Sequence, residues 1–190
     1  MPTPAADHAI YQLKVTLPGS RPPIWRRLEV RSATSLEKLH RIVQTAFGWT
    51  DSHLHRFIID EETYSLPEFE LDELDDEIKN ERRTMLGQLG LGAKSRFVYD
   101  YDFGDDWRHV LVVEKVIEKE PRVAYPRCTG GKRAGPPEDC GGMGGYERLQ
   151  QTIEDPDDDE YESMMEWLGG SFYPEYFNLE EINKQLERIK

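Results

Sequence analysis

The run IYQLKVTL, residues 10–17, alternates with period two: Tyr11, Leu13, Val15 and Leu17 share one face, and Gln12, Lys14 and Thr16 share the other. Successive strand side chains point to opposite sides of a sheet, so this pattern predicts a strand buried on one face. The turn residues PGSRPP follow. Next comes IWRRLEV, with Ile24, Leu28 and Val30 on one side, interrupted by Arg26, and Trp25, Arg27 and Glu29 on the other. Two such runs across a short turn predict a β-hairpin. Its apolar face must be covered, and TSLEKLHRIVQTAFGW is suited to cover it. Thr34 is the expected N-cap, with Glu37 three residues on completing a capping box. Leu36, Leu39, Val43 and Phe47 form one stripe, and Gly48 ends a helix over 35–47.

A returning strand is expected near 53–60, where His53, His55, Phe57 and Ile59 share one face and Leu54, Arg56 and Ile58 the other. A second hairpin joins SRFVYDYD, a strand near 96–102 with Phe97, Tyr99 and Tyr101 on one face, to WRHVLVVEKVI, a strand near 107–117. The second run is apolar on both faces and reads as a central strand. Between them Asp102, Gly104, Asp105 and Asp106 are turn chemistry, with glycine supplying positive φ and aspartate capping its own backbone. The expected fold is α+β: a β-grasp-like, largely antiparallel sheet with a packed helix, followed by a Gly/Pro-rich loop and a helical acidic C-terminal segment.

With 190 residues, 37% of them apolar, the chain supports one domain over 1–190, an α/β core to residue 120 and a loop and helical extension over 121–190. The net charge of −13 is uneven. Acid concentrates in 61–80, which reads as an exposed excursion, and in 151–190. Arg21, Arg26, Arg27 and Arg31 cluster in the first hairpin and are expected to pair with acids on a solvated face. This balance argues against strong nucleic-acid binding, which rests on neutralising phosphates. No apolar run approaches the ~20 residues that span a bilayer, and the first residues lack a signal core, so no membrane association and a cytoplasmic location are expected.

Beyond the sheet, YPRCTGGKRAGPPEDCGGMGGYERLQ carries both cysteines and must lie over something, since a loop of this composition holds no core. Helical segments follow at YERLQQTIED, DDEYESMMEWLGG and NLEEINKQLERI, the last capped by Asn178 with Glu181 at the third position. The aromatic second hairpin is the surface suited to receive the loop. A candidate cleft therefore comprises Asp102, Asp105, Trp107 and His109 on the hairpin with Pro137, Glu138, Asp139 and Cys140 on the loop. Histidine and cysteine are what zinc selects, and His53, His55, His109, Cys128 and Cys140 are its candidate ligands. Twelve positions separate the two cysteines, unlike a CxxC knuckle. His109 alternates with Trp107, Leu111 and Val113 on a strand that should be buried, where a histidine is as a rule a hydrogen-bonded core residue. The glycines of CGGMGGY precede a helix but lack the Lys and Ser/Thr of a phosphate-binding loop.

Taken together, LPGSRPPIWRRLEV, the helix end AFGW followed by HLHRF, YDYDFGDDWRH, PPEDCGGMGGY and FYPEYFNLEEIN closely resemble the plasmid pRiA4b ORF-3-like proteins over residues 10–190. That set is also labelled as transposon passenger proteins or putative resolvases of the TnpR type. The resemblance implies a fold and a mobile-element gene context, and no established activity. Related sequences often carry a further cysteine where this chain has Gly135, a departure that removes a possible zinc ligand. Recombinase chemistry is not supported: Ser20, Ser32, Ser35 and Ser52 lie in turns or near a helix start, and acid surrounds the aromatic hairpin, whereas a phosphodiester transition state needs positive charge. Two function classes remain. One is a non-catalytic binding or adaptor module for a protein or peptide partner; the alternative is a metal-assisted hydrolase using the His/Cys/Asp residues, with zinc as a possible cofactor.

Overall fold

The computed structural model describes residues 9–69 and 78–189. The first hairpin is β1 (Ala9–Leu17) and β2 (Ile24–Arg31), followed by α1 (Leu36–Phe47). Then come β3 (His55–Ile59), β4 (Glu62–Ser65), β5 (Lys79–Asn80), β6 (Arg96–Tyr101), β7 (Trp107–Glu118) and β8 (Arg127–Lys132). Helices α2 (Gly142–Glu154), α3 (Tyr161–Trp167) and α4 (Leu179–Leu186) close the chain. One eight-stranded sheet runs in the order β5-β4-β3-β6-β7-β1-β2-β8, antiparallel throughout except for the β4–β5 pair. The mixed α+β architecture with a mostly antiparallel sheet is the one expected from the alternation.

Strand β1 lies inside the sheet, between β7 and β2, with Leu13 opposite both Leu28 and Val113. Helix α1 packs Leu36, Leu39, Ile42, Val43 and Ala46 onto this face, all essentially inaccessible. Its N-cap is Ser35 rather than Thr34: the Ser35 hydroxyl accepts from the Lys38 amide at 3.2 Å. The shift has a backbone cause. Thr34 is held by its amide on the Arg31 carbonyl and by its own carbonyl, which accepts from the Leu86 amide. With Ser35 as cap the third helical residue is Lys38, so the Thr34–Glu37 capping box does not form. The Asn178 cap does form, accepting from the amides of Glu180 and Glu181.

Arg26 also departs from expectation. It is buried, donating to the carbonyls of Ala46, Trp25 and Lys132 and lying over the rings of Phe47 and Phe177. It joins β2, the end of α1 and β8, and burial brings its pKa down to about 10. The acidic excursion is corrected in part: residues 62–65 form β4, with Thr63, Tyr64 and Ser65 buried, while residues 70–77 lie outside the described ones. The start of the Gly/Pro-rich loop is a strand, β8, at the sheet edge. Asn183 of α4 covers that edge, accepting from the Cys128 amide at 2.7 Å and donating to the Cys128 carbonyl at 2.9 Å. Leu186 and Ile189 thereby join the same core. Among the described residues no helix is long and apolar enough to cross a membrane.

Candidate functional site

The turn between β6 and β7 is built by Asp102. Its Oδ1 accepts from the amides of Gly104 (3.0 Å) and Asp105 (3.3 Å), and its carbonyl accepts from the Asp106 amide at 2.7 Å. Residues 136–142 lie along this turn. The Gly141 amide donates to Asp105 Oδ2 at 3.1 Å. At Gly142 the backbone approaches Asp105 so closely that a Cβ would come to 2.4 Å of its carbonyl oxygen. Glu138 accepts from the amide and hydroxyl of Thr50 and from the Tyr101 hydroxyl. The Trp49 indole donates to the Pro136 carbonyl at 2.8 Å. Gly135 packs on the Phe47 carbonyl, which a Cβ would approach to 2.2 Å, so a thiol at that position would require backbone movement.

Asp102, Asp105, Glu138 and Asp139 thus lie at one seam, with Pro137 half-buried beside them. His53 closes the seam: its Nε2 is 3.1 Å from Asp139 Oδ1 and 3.6 Å from Asp102 Oδ2. Trp107 and His109 sit beneath it in the core. His109 lies against Phe47, Trp49 and Tyr99, with Nδ1 3.1 Å from the Trp107 carbonyl, and burial pushes its imidazole down to about 4. Cys140 lines a groove of about 260 Å³ with Asp139, Leu149, Glu160, Met164 and Trp167. Burial, then the charges of Asp105 and Asp139, push its thiol up to about 12.

The five zinc candidates do not share a centre. His53 and His55 belong to separate clusters of ligand-type groups, and among the described residues neither cluster includes His109, Cys128 or Cys140. Cys128 is in β8 with its Sγ on the Gly130 carbonyl, and burial raises its pKa.

A buried polar network beside the seam was not read from the sequence. His40 places Nδ1 2.7 Å from the Tyr99 hydroxyl and Nε2 2.8 Å from Asp51, while Gln44 donates to Tyr99. His55 stacks on His40 at 3.5 Å and meets the inaccessible Glu81 carboxylate. A signal existed for His40, which falls on the α1 stripe with Leu36, Val43 and Phe47. None existed for Glu81, which follows an acidic stretch. The acid–imidazole–hydroxyl order of Asp51, His40 and Tyr99 resembles a catalytic relay, but Tyr99 is wholly enclosed and burial raises its pKa far above the ordinary phenol. Burial also lowers the His40 imidazole.

Known proteins share this arrangement of chain. The curated protein y4hQ of Sinorhizobium fredii, described as uncharacterized, is 34% identical over 185 residues, covering 95% of this chain and 92% of that protein. The crystal structure of MM3350 from Methanosarcina mazei Go1, a protein of unknown function, superposes with a TM-score of 0.82 at 34% identity, covering 92% of this chain and 97% of that one. The model of the plasmid pRiA4b ORF-3-like proteins matches residues 9–181, and the chain belongs to that family.

Proposed function

We propose that the chain is a non-catalytic binding module, an adaptor for a protein or peptide partner, and that the groove between loop residues 139–140 and helices α2 and α3 receives it. Trp167 carries this reading. It is 50% exposed on α3 beside Met164, a large apolar side chain left at the surface of an acidic segment. Asp139 and Glu160 border the same groove, Glu160 with Arg148 already on its carboxylate, so the groove suits a partner segment with one apolar side chain beside a lysine or arginine.

Catalysis finds less support. The cysteine thiols are raised in pKa, Tyr99 is enclosed, and the exposed Thr50 hydroxyl meets a Glu138 carboxylate that also accepts from Tyr101 and the Thr50 amide. A metal-assisted hydrolase built on His53, His55, His109, Cys128 and Cys140 would need those five to meet. A cytoplasmic setting belongs to the proposal and rests on two free thiols. So does kinship with β-grasp folds, which rests on the order hairpin, helix, returning strand.

The test is calorimetric titration with synthetic peptides in which one Leu, Phe or Trp is flanked by lysines, with all-lysine peptides as controls. Binding of the apolar-anchored peptides is expected, with loss in Trp167→Ala at an unchanged melting temperature. Equal affinity of both proteins, or no preference for the anchored peptides, would remove the groove as the site.

A further inference from the structure

The four carboxylates at the seam are not used alike. Glu138 is occupied by Thr50 and Tyr101, and Asp105 by the Gly141 amide. Asp102 commits Oδ1 to its own turn and leaves Oδ2 facing His53, and Asp139 brings Oδ1 to the same ring nitrogen. His53 Nε2 is shielded from solvent yet makes no well-directed hydrogen bond. The three ligand atoms lie within 4.8 Å of one another.

Those separations are close to the spacing of neighbouring ligands on one cation. With metal–ligand bonds of about 2.1 Å, adjacent donors lie about 3.0 Å apart in an octahedron and about 3.4 Å in a tetrahedron. The nitrogen–oxygen distances here are 3.1 and 3.6 Å. We propose that His53 Nε2, Asp102 Oδ2 and Asp139 Oδ1 form a site for a divalent first-row transition cation, with water completing its coordination on the open side, where the Asp139 side chain is 69% exposed. The site goes beyond the binding function and shares with it only Asp139, which borders the groove; cation binding is read without any peptide present.

Three chain segments supply the ligands, and each is fixed by a neighbour. The Ser52 amide donates to the Tyr101 hydroxyl, the Asp102 amide donates to the Leu54 carbonyl, and Asp139 stands between the anchored Glu138 and Gly141. Such outer contacts hold ligands in place before a metal arrives. One imidazole with two carboxylates suits Mn²⁺, Fe²⁺, Co²⁺ or Zn²⁺ in an open, exchangeable site rather than a closed structural zinc. The second cluster, His40, Asp51 and His55, fits less well. Its imidazoles stack 3.5 Å apart with 6° between their planes, so their in-plane lone pairs run parallel and do not converge.

The experiment uses the full chain stripped with chelator, titrated calorimetrically with MnCl₂ and ZnCl₂ and melted with and without each ion. One ion per chain is expected, with a rise in melting temperature. In His53→Gln and Asp139→Asn the affinity should fall at least ~10-fold and the rise should vanish. Asparagine accepts the φ of 59° at position 139, so Asp139→Asn keeps the fold and the metal-free melting temperature. No stoichiometric binding by ~1 mM ion, a threshold corresponding to about −4 kcal/mol, would reduce the cluster to an ion pair and overturn the site. So would undiminished binding in both variants.

Discussion

Above pH 6.5 His109 contributes as a neutral, packed ring, because protonating it would place a charge among Phe47, Trp49 and Tyr99. Its pKa is about 4 in the fold against 6.5 in the open chain. Between these values the unfolded state binds the extra proton, so stability is complete above about pH 6.5 and falls as pH drops toward 4, by on the order of 3 kcal/mol for this group. His40, also lowered by burial, acts in the same direction. Denaturant midpoints measured from pH 7 to pH 4 should therefore fall more steeply for the parent than for His109→Leu, which removes the titrating ring; equal slopes would show that His109 is not held neutral by burial. The burial of His109 was legible in the sequence, since alternation placed it with Trp107, Leu111 and Val113. The burial of Arg26 was not. A charged residue on an apolar face carries no sign of whether backbone carbonyls from two distant elements will meet it, and here Ala46 and Lys132 do.

The elements that sequence patterning found are those whose own residues carry the signal, burial alternation or stripe for β1, β2, α1, β3, β6 and β7, and helical composition and capping for α2, α3 and α4. Those it missed owe their place to partners. Strand β8, RCTGGK, has two glycines and little β-propensity, and it forms because β2 offers an edge and Asn183 clamps the Cys128 backbone from outside. Strand β4 was concealed by the acidic residues around it, although Tyr64 packs into the core. The seam was legible in outline, because turn chemistry and a loop in search of a surface pointed to the same hairpin. The division of labour among its four carboxylates was not, since it depends on amides and hydroxyls supplied by Thr50, Tyr101, Gly104 and Gly141. The loop's seat rests on close contact at Gly142, whose φ is 65°. Gly142→Ala should push the loop off the turn and cost about 1–3 kcal/mol, from the strained backbone and the clash with Asp105. Thermal melting would read the cost, and faster amide exchange at Gly141 would show that the loop had lifted; an unchanged Gly141 amide would mean that the seat is held elsewhere.

For the whole molecule, charge is unevenly distributed, and the sheet carries one of its basic clusters. Residues 151–190 hold twelve acids against three basic residues, and helices α3 and α4 lie within this segment. The opposite charge gathers over the sheet, where Arg27, Lys94, Arg96 and Lys115 border a shallow depression of about 710 Å³. Much of that charge is already answered: Arg27 is held by Glu114 at 2.5 Å, and Arg56 and Arg108 both clamp Asp100. A phosphate backbone approaching this face would have to displace these carboxylates for each new contact, against the field of a chain carrying −13 overall. Binding to a labelled DNA duplex at ~150 mM salt, where the screening length is about 8 Å, should therefore be weaker than about 10 µM and indifferent to sequence. Fluorescence anisotropy measures this directly. The reversal Glu114→Gln, Asp100→Asn should tighten binding and steepen its salt dependence if paired carboxylates are what hold the sheet face back. Submicromolar binding of one duplex over another by the parent would mean that the sheet face reads bases despite its neutralised cations, and the adaptor role would give way to one on DNA.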